Sequence, residues 1–208
     1  KGKEAKLLLE AARKECAQVL GVKSETLFFT SGGTESNHIP LLSVLNKPQK
    51  GHVLFSSIEH PSVREMAAEL SKCGWEVEEI PSNKDGIITP ENVKKSLKTN
   101  TVFISVMAVN NETGAIQPIE EIADMLVEVS KGKRRPKFHT DCVQAAGKIP
   151  FLLNSEGIDS ASFSAHKISG PRGIGLLYSK NMIEPFLRGG GQENGIRSGT
   201  ENVFAAIA

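Results

Sequence analysis

Short apolar runs of strand length alternate with amphipathic stretches of helix length along most of this chain. That alternation restricts the fold more than any single motif does. Leu8, Leu9, Ala12, Cys16, Val19 and Leu20 recur at helical spacing, and Gly21 closes the first helix. Residues 26–29 then read as a buried strand, with 31–34 as the turn opening the next helix. Pro40 falls inside that helix, which predicts a kink or a late start. Further strands are expected at 52–56, 75–80, 102–108, 137–140, 160–164 and 174–178, with helices at 62–72, 91–97 and 119–129. This order predicts an α/β protein, a three-layer α/β/α domain around a mostly parallel sheet.

The bulk properties remove other classes. At 208 residues, 39% hydrophobic and 24% charged, the chain can bury one ordinary globular core. A formal net charge of +1 gives no pull toward nucleic acid or an anionic membrane, and no apolar run is long enough to span a bilayer. The one basic cluster, Lys131, Lys133, Arg134, Arg135 and Lys137, reads as a solvated loop between a helix and a strand. Cys16, Cys73 and Cys142 show no metal or redox spacing, so they read as packing residues in a reducing compartment. A cytoplasmic protein is expected. A mitochondrial one is also compatible, because Lys1 begins inside a helical pattern without an initiating methionine.

Chemistry concentrates where the strands end. Ser31, Gly32, Gly33 and Thr34 could offer backbone N–H groups to an anion at a helix N-terminus, or form a plain capped turn. No lysine follows at P-loop spacing. His60 could stack on a planar ligand and move protons, or cap the helix that Pro61 begins. The amides of Asn110 and Asn111 could bond a ligand, or make an ordinary turn. Asp141 could balance a buried cation, or cap a short helix containing Gln144. Lys167 follows the strand at 160–164, where desolvation would lower its pKa and free the amine for Schiff-base chemistry. In an open α/β sheet such ends converge on one crevice. A phosphate cradle, a ring neighbour, a polar clamp, a pyridinium partner and an amine together describe a site for pyridoxal 5′-phosphate.

The motifs TSGGTESN (30–37), EHPSV (59–63), NNETG (110–114), HTDCVQAAGK (139–148), SFSAHKISGPRGIGLLY (162–178) and GGGQENGIRSGTEN (189–202) run nearly the length of the chain. In that order they resemble the cysteine desulfurases, with selenocysteine lyases as close relatives, in class V of the fold-type I aminotransferases. The resemblance implies that Lys167 carries pyridoxal phosphate as a Schiff base and moves the substrate α-proton. It implies that Asp141 pairs with the ring nitrogen, Gln144 bonds the ring hydroxyl and His60 stacks on the ring. Gly33, Thr34, Ser164 and His166 would hold the phosphate, and Asn111 would touch substrate and cofactor. Thr200 would reach the phosphate of the partner subunit in a homodimer, with 189–191 and Arg197 near that interface.

The same resemblance implies that residues 1–208 form the large cofactor-binding domain, without the family's N-terminal segment and C-terminal small domain. The cysteine that accepts sulfur as a persulfide, and the arginine that grips the substrate carboxylate, would then lie past Ala208. The implied activity converts L-cysteine to L-alanine and passes sulfur to an acceptor or iron–sulfur scaffold protein. The alternatives are a selenocysteine lyase acting on L-selenocysteine and a cofactor-binding homologue without desulfurase activity.

Overall fold

A computed structural model describes residues 2–151 and 153–208. The chain runs α1 (Gly2–Leu20), β1 (Leu27–Thr30), α2 (Gly33–Leu42), β2 (His52–Ser56), α3 (Pro61–Lys72) and β3 (Glu76–Ile80). It continues with α4 (Pro90–Ser96), β4 (Thr101–Ser105), α5 (Ile119–Val129), β5 (Lys137–Asp141), β6 (Ser160–Ser164), β7 (Gly175–Ser179) and α6 (Val203–Ile207). The strands form one sheet in the order β1-β7-β6-β5-β4-β2-β3. Only β7 runs against its neighbours; every other pairing is parallel.

Successive strand residues feed opposite faces of the sheet, as the two-residue period requires. Leu54 and Ile104 pack with Ala17 of α1, Val93 of α4 and Ile122, Ala123 and Leu126 of α5. Their neighbours Val53, Phe55 and Phe103 pack with Leu41 of α2 and Val63, Ala67 and Leu70 of α3. Helices therefore cover both faces, giving the three layers expected, and central strands buried on both faces explain the near-continuous apolar runs.

Local differences have local causes. Strand β1 lies one residue later than expected. Helix α2 begins at Gly33, so Pro40 causes no late start; it falls in the last turn, and a 3-10 turn at Ser43–Asn46 follows. The run expected as strand to 108 leaves β4 after Ser105 but stays tied to β5, since the N–H of Val106 bonds the carbonyl of His139 (3.1 Å) and that of Ala108 the carbonyl of Asp141 (2.9 Å). The basic stretch is less solvated than expected. Arg135 and Lys137 each reach a different carboxylate oxygen of buried Asp159, both at 2.8 Å, which pins the loop at the start of β5.

A second buried pair was not legible beforehand. Arg13 of α1 grips Glu193 through two bonds of 2.6 and 2.7 Å, and the Phe29 N–H donates to the same carboxylate at 2.7 Å. Glu193 takes the left-handed φ of 50° to do so. This clamp fixes the 189–202 loop against α1 and the edge strand β1.

Candidate functional site

A cleft of about 200 Å³ opens where β1, β2, β4, β5 and β6 end. Gly33, Thr34, His60, Asn111, Asp141, Gln144, Ser164, His166 and Lys167 all line it, joined by Asn37, Ser62, Met107 and Val143. The five strand ends thus meet in one crevice. Thr200 is the exception among the predicted site residues: it is exposed on the 189–202 loop and lines a separate hollow beside Arg13 and Glu193.

One wall is the N-terminus of α2. A Cβ on Gly33 would stand 2.7 Å from Val143 Cγ2 and 3.6 Å from Ser164 Cβ, so glycine leaves room for the Val143 side chain against the start of α2. Gly175 is held to the same standard, since its Cβ would stand 2.7 Å from the Cα of Gly32. Ser164 Oγ lies 2.9 Å from His166 Nδ1, which ties the end of β6 to the turn after it.

Lys167 sits in that turn, a 3-10 segment spanning Ala165–Ile168, three residues past the strand. It is exposed, so the desolvation expected for it is absent in this arrangement. The turn itself is rigidly made. The N–H of Gly170 bonds the carbonyl of Ala165 at 2.9 Å, and a Cβ on Gly170 would press to 3.0 Å from that of Ala165.

His60 takes the capping role considered for it, and its ring also lines the cleft. As the N-cap of α3 its Nδ1 accepts the N–H of Ser62 at 3.1 Å, while the ring lines the cleft. With Nδ1 accepting, the proton of the neutral ring sits on Nε2. Asn110 and Asn111 divide their labour. Buried Asn110 accepts from the N–H groups of Glu112 and Thr113 and donates to the carbonyl of Ile58, so it holds the loop, and exposed Asn111 reaches the cleft.

Asp141 is 4% exposed. Its Oδ1 accepts the N–H of Val143 at 2.9 Å, but the helix expected there forms only as successive turns, on which Gln144 lines the cleft. Its Oδ2 accepts from Asn37 Nδ2 at 2.8 Å. Burial pushes the carboxyl up from its ordinary range, while these hydrogen bonds and nearby His60 pull it back. Asp159 and Glu193 each hold a cation; among the described residues no lysine or arginine pairs with Asp141. A buried carboxylate facing a cleft without a counter-cation suits a cationic ring nitrogen. With the glycine-walled helix N-terminus for phosphate and an amine opposite, the residues present fit pyridoxal 5′-phosphate.

Sequence reasoning missed the layer beneath. Asn37 stands one helical turn after Gly33 on the cleft-facing side of α2, a spacing that could have flagged it. His139 is wholly buried, and desolvation lowers its imidazole to about 3, so it is neutral. Glu59 is 3% exposed and is raised to about 8 by burial first and by the negative charge of Asp141 second. One of its oxygens accepts from Ser56 and Ser105, and the other has no hydrogen-bond partner among the described residues.

A neutral Glu59 has a measurable consequence. Its folded pKa lies above the unfolded value, so the unfolded chain loses this proton first. Stability must then fall as pH rises from about 4.5 to about 8, at up to roughly 1.4 kcal/mol per pH unit. Glu59→Gln is expected to remove that decline in urea-unfolding experiments across the window. An unchanged slope would show that Glu59 is ionised in the folded protein.

The full sequence, residues 1–208, matches the family model described as Aminotransferase class-V. The chain belongs to that family. It is 46% identical over 212 aligned residues to a NifS/IcsS protein homolog of Lactobacillus delbrueckii subsp. bulgaricus, covering 100% of this chain and 54% of that protein. It is 41% identical to the cysteine desulfurase IscS of Dictyoglomus turgidum, covering 99% of this chain and 52% of the other. The solved structure of a NifS-like protein superposes with a TM-score of 0.92 at 41% identity, over 99% of this chain and 57% of that one. The chain spans about half the length of the curated relatives it matches.

The aminotransferase class-V fold puts none of the three cysteines on the cleft lining. Cys142 is buried directly after Asp141, and burial drives its thiol far up, away from the thiolate a nucleophile needs. Cys16 is half-buried and shifted the same way, and Cys73 is exposed at the C-terminal cap of α3.

Proposed function

We propose that the protein is a cysteine desulfurase that uses pyridoxal 5′-phosphate, and that residues 1–208 form its cofactor-binding domain. The observation that carries this is the meeting, in one cleft, of the Lys167 amine with a buried Asp141 that lacks a counter-cation. Relatives named cysteine desulfurase support the substrate class. When bound, the cofactor supplies an electron sink for negative charge at the substrate α-carbon.

The chain's own residues would do the rest. Gly33, Thr34, Ser164 and His166 hold the phosphate, and Asp141 keeps the ring nitrogen protonated. Gln144 bonds the ring hydroxyl, His60 stacks on the ring and serves as acid or base, and Asn111 orients substrate. Lys167 would hold the cofactor through its amine and would move the substrate α-proton. A thiolate attacks the substrate sulfur, the carbon–sulfur bond breaks as the sulfur–sulfur bond forms, and protonation of the freed carbon leaves L-alanine. The persulfide passes its sulfur to an acceptor or iron–sulfur scaffold protein, and Thr200 reaches the phosphate of the partner subunit in a homodimer.

Incubating the protein, in its natural length, with pyridoxal phosphate and either L-cysteine or L-selenocysteine tests the reading. Alanine from L-cysteine, with visible absorbance that borohydride fixes to Lys167, is expected. A protein that takes up no cofactor overturns it, and alanine from L-selenocysteine alone would make it a selenocysteine lyase.

A further inference from the structure

We propose that Asn37 is a positioning residue, locked by the buried imidazole of His139, that fixes the direction of the Asp141 carboxylate and ties it to His60. The inference rests on the cofactor reading above and concerns residues which that reading leaves without a role.

Asn37 is 1% exposed, and both ends of its amide are committed. Its Nδ2 stands 2.8 Å from Asp141 Oδ2 and 2.9 Å from Ser62 Oγ, so its two hydrogens serve two acceptors. Its Oδ1 lies 3.0 Å from His139 Nε2. With its Nδ2 turned to the Asp141 carboxylate, Asn37 presents to Nε2 an oxygen that can only accept, so Nε2 carries the proton. Nδ1 is then left to accept from Ser160 Oγ at 2.8 Å, and Ser162 Oγ stands 3.2 Å from Nε2. Turning the amide over would set its carbonyl against the Asp141 carboxylate and its NH2 against the N–H of His139. Both contacts would be repulsive and buried, so one orientation survives.

The network continues toward the cleft. Ser62 Oγ accepts from Asn37 and stands 2.9 Å from His60 Nδ1. One connected set therefore joins the carboxylate intended for the ring nitrogen to the imidazole intended for the ring face. His139 is suited to the task because it stays uncharged: it stacks on Phe103 with ring centroids 6.2 Å apart, and desolvation holds its ring at about 3. A charged histidine there would satisfy Asp141 electrostatically. A neutral one orients Asn37 and leaves the carboxylate's demand for a cation to the ligand.

Substitutions separate this role from space-filling. A hydrogen bond to a charged group corresponds to about one to two decades in an equilibrium or a rate. Asn37→Leu is expected to weaken pyridoxal phosphate binding and lower kcat by about 10- to 100-fold each, with the KM for L-cysteine changed less than about threefold. Asn37→Asp is nearly isosteric but sets an oxygen against Asp141, and it is expected to fail as badly. His139→Gln can still donate to Asn37 and is expected to keep at least about ten times the turnover of His139→Phe. A near-normal Asn37→Asp, or equal turnover in the two His139 variants, overturns the proposal.

The lock is also readable without cofactor. In the cofactor-free protein the Asn37 side-chain amide protons should exchange slowly, and the His139 nitrogens should report a single tautomer with its proton on Nε2. Fast amide exchange, or a proton on Nδ1, overturns the proposal even if the enzyme reading stands. Failure of the unaltered protein to take up cofactor, with the lock intact, sinks the enzyme reading and with it the role given to Asn37.

Discussion

Replacing Lys167 with alanine is expected to abolish borohydride-fixable absorbance and to reduce alanine formation by about four decades or more. Among the described residues Lys167 is the one amine lining the cleft, so nothing nearby can substitute for it. A side chain acting in proton transfer alone contributes about 10²–10⁴-fold, and here the covalent link would be lost as well. The fold should not suffer. Lys167 is exposed and, among the described residues, its side chain makes no hydrogen bond or ion pair, so the change belongs with surface substitutions worth within about 0.5 kcal/mol. An intact unfolding midpoint with turnover lost would thus assign the chemistry to this amine. More than about a tenth of normal turnover in Lys167→Ala would remove Lys167 from the centre of the reaction.

What made the cleft readable in the sequence was contrast. β2 and β4 carry apolar runs, so the polar His60 and Asn111 beyond them stand out, while Asp141 closes β5 and Lys167 follows the serine-rich β6. Layer architecture followed from the same alternation, because parallel strands require helical crossovers. Direction was not readable: a two-residue period has no sign, and nothing in the sequence of β7 marks it as antiparallel to β1 and β6. Nor was depth. Asn37, Glu59 and His139 are polar residues that sequence statistics place at the surface, yet each is buried beneath the cleft by partners 25 to 104 residues away or by the strands around it. The Arg13–Glu193 clamp joins residues 180 positions apart, a separation at which spacing carries no signal. For Lys167 the strand end was right and the burial wrong, since a 3-10 turn carries it past the sheet into the open mouth.

Asp141 should show function and stability pulling in opposite directions. On the proposed function its carboxylate would face a cation in the loaded enzyme, and removing one member of a buried pair costs about 3–5 kcal/mol. Spent on the transition state, that is about two to nearly four decades in rate, so Asp141→Ala is expected to lower kcat by about 10²–10⁴. In the cofactor-free protein the sign reverses. Burial holds the folded pKa of Asp141 above its unfolded value, so above the unfolded pKa the unfolded chain has lost the proton and the folded chain resists losing it. Stability therefore falls as pH rises through this interval, and the neutral Asp141→Asn is expected to lessen that fall. Its effect extends to Glu59, because the negative charge of Asp141 is the second cause of that residue's upward shift. Unfolding by urea at pH 5 and pH 8 should thus show a smaller pH dependence in Asp141→Asn than in the parent, even as turnover collapses. Near-normal turnover would dissociate Asp141 from the ring nitrogen, and an unchanged pH dependence would show that the carboxylate is not desolvated. The two expected results together, a gain of stability in the empty protein and a loss of turnover in the loaded one, would mark Asp141 as a carboxylate held in place for its ligand.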